Sequence, residues 1–133
     1  MTILQFGKVQ IRIMKILWER KRITARELTD ELNRQNPIAH STVQTLLRTL
    51  EDKRAVGHVS EGRTFYFFPL VGDDQVIMNA TDRFLETMFN GSPGSMVSYL
   101  VKKQYLSPEE IKDIADLIRS EEPDGNPNDS PAD

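Results

Sequence analysis

The order of the hydrophobic patterns constrains this 133-residue chain more than its composition does. Three amphipathic helical patterns come first, and two short runs rich in β-branched and aromatic residues follow them. These runs, residues 56–60 and 64–68, are separated by Glu61-Gly62-Arg63, a glycine-containing turn that predicts a two-stranded β-hairpin. Three helices followed by a hairpin is the element order of a winged helix-turn-helix, so the predicted fold class is mostly α with a small β-hairpin (α+β).

The three N-terminal helices are predicted from spacing and capping signals. The first should span about Lys8 to Arg20, where apolar residues recur at helical spacing. The second should open at a capping box formed by Thr24 and Glu27, and should end before Pro37. The third should cover about residues 39–53, with a buried stripe of Val43, Leu46, Leu47 and Leu50.

The opposite side of the third helix carries short polar side chains and one arginine. Residues displaced by two positions from the apolar stripe lie about 200° around a helix of 3.6 residues per turn. A helix that enters the major groove needs small polar side chains, together with hydroxyl, amide and guanidinium groups that match base edges. The predicted DNA-binding residues are Ser41, Thr42, Gln44, Thr45 and Arg48. Arg63, beside Gly62 in the hairpin turn, is predicted to contact phosphate or the minor groove.

From Asp73 onward the pattern is helical, and three C-terminal helices are predicted. Asn90-Gly91 is a stop signal, while Ser92-Pro93 and Ser107-Pro108 are start signals. A stretch of about 50 residues cannot enclose a large core alone. We therefore predict a three-helix homodimerisation region, and the alternative is that these helices pack back on the N-terminal domain. The predicted dimerisation residues are Ile77, Phe84, Met88, Met96, Leu100, Ile114 and Ile118.

The charge distribution supports a division of the chain into different parts. Residues 1–70 contain 12 Lys and Arg against 7 Asp and Glu, whereas residues 71–133 contain 5 against 13. A basic half joined to an acidic half predicts that the first meets a polyanion and that the second has another task. The predicted domains are a winged-helix DNA-binding domain (1–70), a helical dimerisation domain (71–122) and a disordered acidic tail (123–133).

The residues needed for several other function classes are missing from the sequence. The chain has no cysteine, and the catalytic motifs HExxH, GxSxG, GxGxxG and the P-loop are absent. Its only two histidines, His40 and His58, are far apart; His40 begins the third helix, where a surface or DNA-facing residue is expected. We predict no enzyme activity, no metal and no cofactor. Without a membrane-spanning apolar run or a secretion signal, we expect a cytoplasmic protein with no membrane insertion.

Four segments carry a resemblance to a known family. Residues 13–18 match an IM-x-x-LW pattern, residues 42–47 match TV-x-T-x-L, and residues 89–97 match F-x-G-x-x-x-x-[ML]-[VL], while residues 61–66 resemble EGR-x-[YF]-x-Y. In this order, the segments resemble the BlaI/MecI/CopY family of bacterial winged-helix transcriptional repressors. The resemblance covers about residues 6–120.

The resemblance implies a homodimeric repressor that binds an inverted-repeat operator in double-stranded DNA. It implies that Ser41, Thr42, Gln44 and Thr45 face the groove and that Arg63 is the wing contact. In the β-lactam-type relatives a regulatory protease, linked to a membrane sensor, cleaves an Asn-Phe bond. That bond corresponds here to Ser98-Tyr99, the candidate cleavage site. Copper-responsive relatives use a C-terminal cysteine cluster, which this sequence lacks.

Two alternatives to the operator-binding homodimer remain open on sequence alone. One is a winged-helix module that binds a protein, which would favour an apolar or acidic face on the third helix. The other is a repressor that is relieved by a small-molecule ligand, which would need a pocket between the dimerisation helices.

Overall fold

A computed structural model describes residues 5–121, within which six helices and three strands form. The elements in chain order are α1 (Lys8–Arg20), β1 (Ile23–Thr24), α2 (Ala25–Asn33), α3 (His40–Asp52), β2 (Val56–Glu61), β3 (Thr64–Pro69), α4 (Asp73–Phe89), α5 (Pro93–Lys102) and α6 (Pro108–Glu121). The predicted fold class, mostly helical with a small β element, is confirmed. The predicted disordered tail at 123–133 lies outside the described residues.

The sheet is antiparallel, with the strand order β1-β3-β2. The predicted hairpin between β2 and β3 is present, and its last pair is Glu61 with Thr64, so the turn has two residues and not three. Gly62 has a φ of +65°, and a positive φ at the first turn position is what a type II′ turn requires. The sheet also contains a third strand that the sequence pattern did not predict, because β1 pairs with β3. A strand of two residues is too short to show an alternating pattern in the sequence.

One hydrophobic core holds the N-terminal elements together. Its fully buried side chains come from all three N-terminal helices and from the strands. They include Ile13, Met14 and Leu17 from α1, Leu28 and Leu32 from α2, and Val43, Leu47 and Leu50 from α3. Burial of each such side chain contributes roughly 1.5–3 kcal/mol, so the core fixes the position of α3 against α1 and α2.

Side-chain caps start α2 and α6 where the sequence predicts them. The Thr24 hydroxyl accepts from the Glu27 amide at 3.1 Å, and the Glu27 carboxylate accepts from the Thr24 amide at 3.0 Å. This second bond lowers the pKa of Glu27, because the backbone N–H stabilises the ionised carboxylate. Ser107 and Glu110 form the same reciprocal pair at the start of α6. The predicted starts of α2 and α6 are therefore confirmed.

The chain divides into two compact units between Phe84 and Leu85, so the division falls inside α4. The predicted domain boundary at 70/71 lies earlier than this division. The first part of α4 belongs with the N-terminal unit, and Val76 on it is only 4% exposed. Among residues 5–121, no helix combines the length and the apolar character needed to cross a membrane.

Candidate nucleic-acid interface

Helix α3 has one side in the core and the other in solvent. Val43, Leu47 and Leu50 are buried among α1, α2 and the strands. All five residues predicted to read DNA are exposed on the outer side: Ser41, Thr42, Gln44, Thr45 and Arg48. The polar face therefore lies on a helix whose position is set by the hydrophobic core, which suits a surface that must match a rigid ligand.

The polar groups on this face are largely free for a ligand. Within residues 5–121, Gln44 and Arg48 form neither a hydrogen bond nor an ion pair. The Thr45 hydroxyl donates to the Ser41 carbonyl at 3.0 Å, so it keeps its lone pairs and its methyl group for outside contacts. An unpaired amide and an unpaired guanidinium on one helix face can satisfy the donors and acceptors of base edges.

Two side-chain networks fix the turn between α2 and α3. The Asn33 amide donates to the Thr29 and Ile38 carbonyls, both at 2.9 Å, and its oxygen accepts from the Ile38 amide at 2.9 Å. His40 Nδ1 lies 2.9 Å from the Thr29 hydroxyl oxygen. These bonds satisfy polar groups that a turn would otherwise leave without partners, and they connect the start of α3 to α2.

The hairpin forms a wing with Arg63 at its tip. Arg63 is exposed and has no ion pair among the described residues, so its guanidinium is available for a phosphate. Arg22 contacts both strands of the wing: it lies 4.1 Å over the Tyr66 ring on β3 and pairs at 2.8 Å with Glu61, the residue of β2 next to the turn. The hydrogen bond to Glu61 raises the pKa of Arg22. The sequence did not predict this role, because Arg22 is far from Tyr66 along the chain and no helix or strand period relates the two residues.

A second link joins the wing to α3. His58 on β2 pairs with Glu51 near the end of α3, and its ring stacks on Phe65 with the centroids 4.7 Å apart. Both histidines thus connect elements of the N-terminal unit. Among residues 5–121, no three or more His, Asp or Glu side chains gather in a way that could hold a metal ion.

The predicted dimerisation residues lie on exposed or half-exposed surface. Ile77, Phe84 and Met88 on α4 are exposed, and so are Ile114 and Ile118 on α6. Met96 and Leu100 on α5 are half-buried. In the described chain, α5 and α6 contain no buried residue. A row of large apolar side chains left in water is the usual mark of a surface that another chain covers.

The candidate cleavage site lies within α5, where Ser98 and Tyr99 are both exposed. The same two residues line an open concave surface of about 660 Å³ in the C-terminal unit, whose other lining residues are Phe89, Ser92, Gly94, Ser95 and Lys102. The small-molecule alternative and the cleavage site both stay predictions.

Comparisons with known proteins agree with this geometry. The sequence profile of the penicillinase repressor family matches residues 6–120. The chain is 30% identical to the penicillinase repressor of Bacillus licheniformis over 114 residues, which is 86% of this chain and 89% of that protein. It is 22% identical to the methicillin resistance regulatory protein MecI of Staphylococcus aureus over 114 residues, 86% of this chain and 93% of that protein.

Solved structures of DNA-binding proteins are also similar to this chain. The DNA-binding domain of the repressor BlaI is 31% identical and superposes with a TM-score of 0.50, over 53% of this chain and 87% of that domain. A variant of S. aureus MepR bound to an oligodeoxyribonucleotide has a TM-score of 0.52 at 18% identity, over 86% of this chain and 76% of its own; this likeness shows the fold alone. The chain is therefore a member of the penicillinase repressor family, whose proteins are DNA-binding transcriptional repressors of the winged-helix type and not enzymes.

Proposed function

We propose that this protein is a homodimeric repressor that binds an inverted-repeat operator with one winged-helix unit on each half-site. The N-terminal part of α3 enters the major groove, and the Arg63 guanidinium contacts phosphate or the minor groove beside it. Such a repressor works in the bacterial cytoplasm, where its operator is.

The main support for this proposal is that α3 has a buried apolar side and an exposed polar side. Its inner side is fixed by buried Val43, Leu47 and Leu50, and its outer side presents Gln44 and Arg48 without partners in the described chain. The alternative of a protein-binding module favours an apolar or acidic outer side. The outer side of α3 carries hydroxyl, amide and guanidinium groups instead.

The homodimer is supported by the exposed apolar side chains of the C-terminal helices. Ile118 is 60% exposed and Met88 is 62% exposed. Covering each with the same surface of a second chain would contribute roughly 1.5–3 kcal/mol per side chain. Two-fold symmetry of such a pair would match the symmetry of an inverted repeat, with half-sites about one helical turn apart.

Two substitutions separate base reading from backbone contact. Gln44→Ala should relax the preference between operator and mismatched DNA by about 1–3 kcal/mol, because a base-edge contact is lost. Arg63→Ala should weaken binding to all duplexes and reduce the slope of log K against log salt by about 1 for each phosphate contact removed. Both are measured by fluorescence anisotropy on duplexes from the region upstream of the gene.

Gln75→Ala and Arg119→Ala are the matched controls, since both residues are exposed and lie on α4 and α6, outside α3 and the wing. Neither control should change base preference or the salt slope. If Gln44→Ala and Arg63→Ala give the same loss on every sequence, the assignment of α3 as the base-reading helix is wrong.

The second part of the proposal is relief of repression by cleavage of the Ser98-Tyr99 bond by a regulatory protease. The bond is exposed and lies on a helix without buried residues, which favours the local unfolding that a protease needs. Mass spectrometry of the protein from induced cells should find fragments ending at Ser98 and beginning at Tyr99. An intact chain in fully induced cells contradicts this part and leaves the operator-binding part standing.

A further inference from the structure

The first residue of α3 is a histidine whose ring is held by a buried threonine. His40 Nδ1 lies 2.9 Å from the Thr29 hydroxyl oxygen, and the same hydroxyl lies 2.8 Å from the Ala25 carbonyl oxygen. Thr29 is only 3% exposed, whereas His40 is half-exposed. The Nδ1 side of the ring is therefore held by Thr29. The rest of the ring reaches solvent at the N-terminal end of α3, where the predicted base-reading residues begin.

The hydrogen-bond geometry assigns the proton on the ring. A threonine hydroxyl has one hydrogen, and the Ala25 carbonyl can only accept it. The Thr29 oxygen must then accept from His40 Nδ1–H. In the neutral ring this leaves Nε2 as a bare lone pair, and in the charged ring Nε2 becomes a second N–H donor.

On α2, Arg26 lies one turn before Thr29, the partner of His40, and Asp30 lies directly after Thr29. Neither forms an ion pair among residues 5–121. On α3 the first turn contains no acidic residue. The N-terminal end of that helix disfavours a positive charge. A phosphate beside Nε2 would favour the protonated ring, because its oxygens accept from the added N–H.

We propose that His40 is a further DNA contact, whose Nε2–H donates to a backbone phosphate at the start of α3 while Thr29 positions the ring. The inference rests on the proposed DNA-binding function and adds a consequence. With Nδ1–H bonded to Thr29, the Nε2–H donor exists only on the protonated ring, so DNA binding should favour that form. Affinity should then fall as pH rises, with up to one proton taken up per subunit.

The test is the pH dependence of affinity, measured by anisotropy between pH 6 and 8 at constant ionic strength. The probes are the operator duplex and a random-sequence duplex, because a phosphate contact does not depend on sequence. We expect wild-type affinity to fall by about tenfold per engaged subunit on both duplexes. His40→Asn keeps an N–H for Thr29 but does not titrate, so its affinity should be nearly flat and close to the wild-type value at pH 8.

His58→Asn is the matched control, because His58 and His40 are the only histidines and His58 is paired with Glu51. This variant should keep the wild-type pH dependence. Thr29→Val keeps the volume but removes the acceptor for Nδ1–H, so it should reduce the pH dependence without abolishing DNA binding. NMR titration of the His40 ring, free and in the complex, should show a higher pKa in the complex.

A flat wild-type profile overturns the inference, and so does a pH dependence that survives His40→Asn or disappears in His58→Asn. An equal pKa for His40 in the free and bound protein overturns it as well, even if His40→Asn fails to fold. In all these cases the wild-type protein still binds its operator, so the proposed function stands. Absence of any wild-type binding to either duplex removes the proposed function and the inference with it.

Discussion

The two ends of this chain differ in how much of their apolar surface is buried. The N-terminal unit puts the apolar stripes of α1, α2 and α3 into one core and leaves a polar face on α3. The C-terminal helices α5 and α6 also carry apolar stripes, yet no residue on them is buried in the described chain. The first arrangement is complete in one chain. The second leaves apolar surface for another molecule to cover.

Because of this difference, we expect the N-terminal unit to bind DNA without help from the C-terminal unit. A unit with a closed core can hold α3 and the wing in place without help, so one copy should recognise one half-site. A unit with exposed Ile114, Leu117 and Ile118 gains stability when another surface covers them. The charges follow the same division, since basic residues predominate in residues 1–70 and acidic residues in residues 71–133.

Removal of the C-terminal unit should have the largest effect on operator binding. A chain truncated after Phe84 keeps the first compact unit together with buried Val76. We expect it to fold, to remain monomeric and to bind the two-half-site operator about 10²–10⁴-fold more weakly, because the gain from linking two modules is lost. Anisotropy on full and half operators measures this.

On a single half-site, the truncated and full-length chains should bind about equally. A truncated protein that binds the full operator as tightly as the intact chain would contradict the division of tasks between the units.

A matched pair of leucine substitutions separates the N-terminal core from the exposed surface of α6. Leu47 on α3 is 1% exposed, and Leu117 on α6 is 58% exposed. Leu47→Ala should lower the free energy of unfolding by about 2–5 kcal/mol at every protein concentration, because it leaves a cavity in the core. Leu117→Ala should lower stability in a way that depends on protein concentration, because the loss falls on the interface between copies.

Thermal unfolding at several protein concentrations separates the two results. A concentration-independent loss for Leu117→Ala as large as that for Leu47→Ala would place Leu117 in the core of a single chain.

The smallest expected effect concerns the cap of α2 in the N-terminal unit. Glu27 has a lowered pKa in the folded state, so its contribution is present above the ordinary glutamate pKa and is lost as pH falls through the lowered value. Glu27→Gln keeps an acceptor for the Thr24 amide but does not titrate. Its unfolding free energy should fall slightly less between pH 5 and 3 than that of the wild type, measured by denaturant unfolding. An identical pH dependence in the two proteins contradicts the role of Glu27.

Local signals allowed much of the fold to be predicted. The bounds of α1 are those predicted, and the starts of α5 and α6 follow Ser92 and Ser107 as the capping signals indicate. The outward position of Gln44 and Arg48 follows from their spacing to Val43 and Leu47, because both sides of one helix are fixed by the same period.

Contacts between distant residues were outside the reach of the sequence pattern. Strand β1 exists because Ile23 pairs with Phe67, far along the chain. The burial of Thr29 and its bond to His40 depend on how α2 packs against α3, which periodicity does not specify. Apolar stripes alone also do not separate dimerisation from packing back on the N-terminal domain, whereas the structure leaves Ile118 60% exposed.

Sedimentation equilibrium of the full chain, with and without Ile114→Glu, tests whether a second copy covers the exposed C-terminal helices. We expect a wild-type particle of twice the 15.3 kDa chain mass at micromolar concentration, and a folded 15.3 kDa monomer for the variant. A wild-type protein that sediments as a monomer at that concentration, or a variant that remains dimeric, would contradict it.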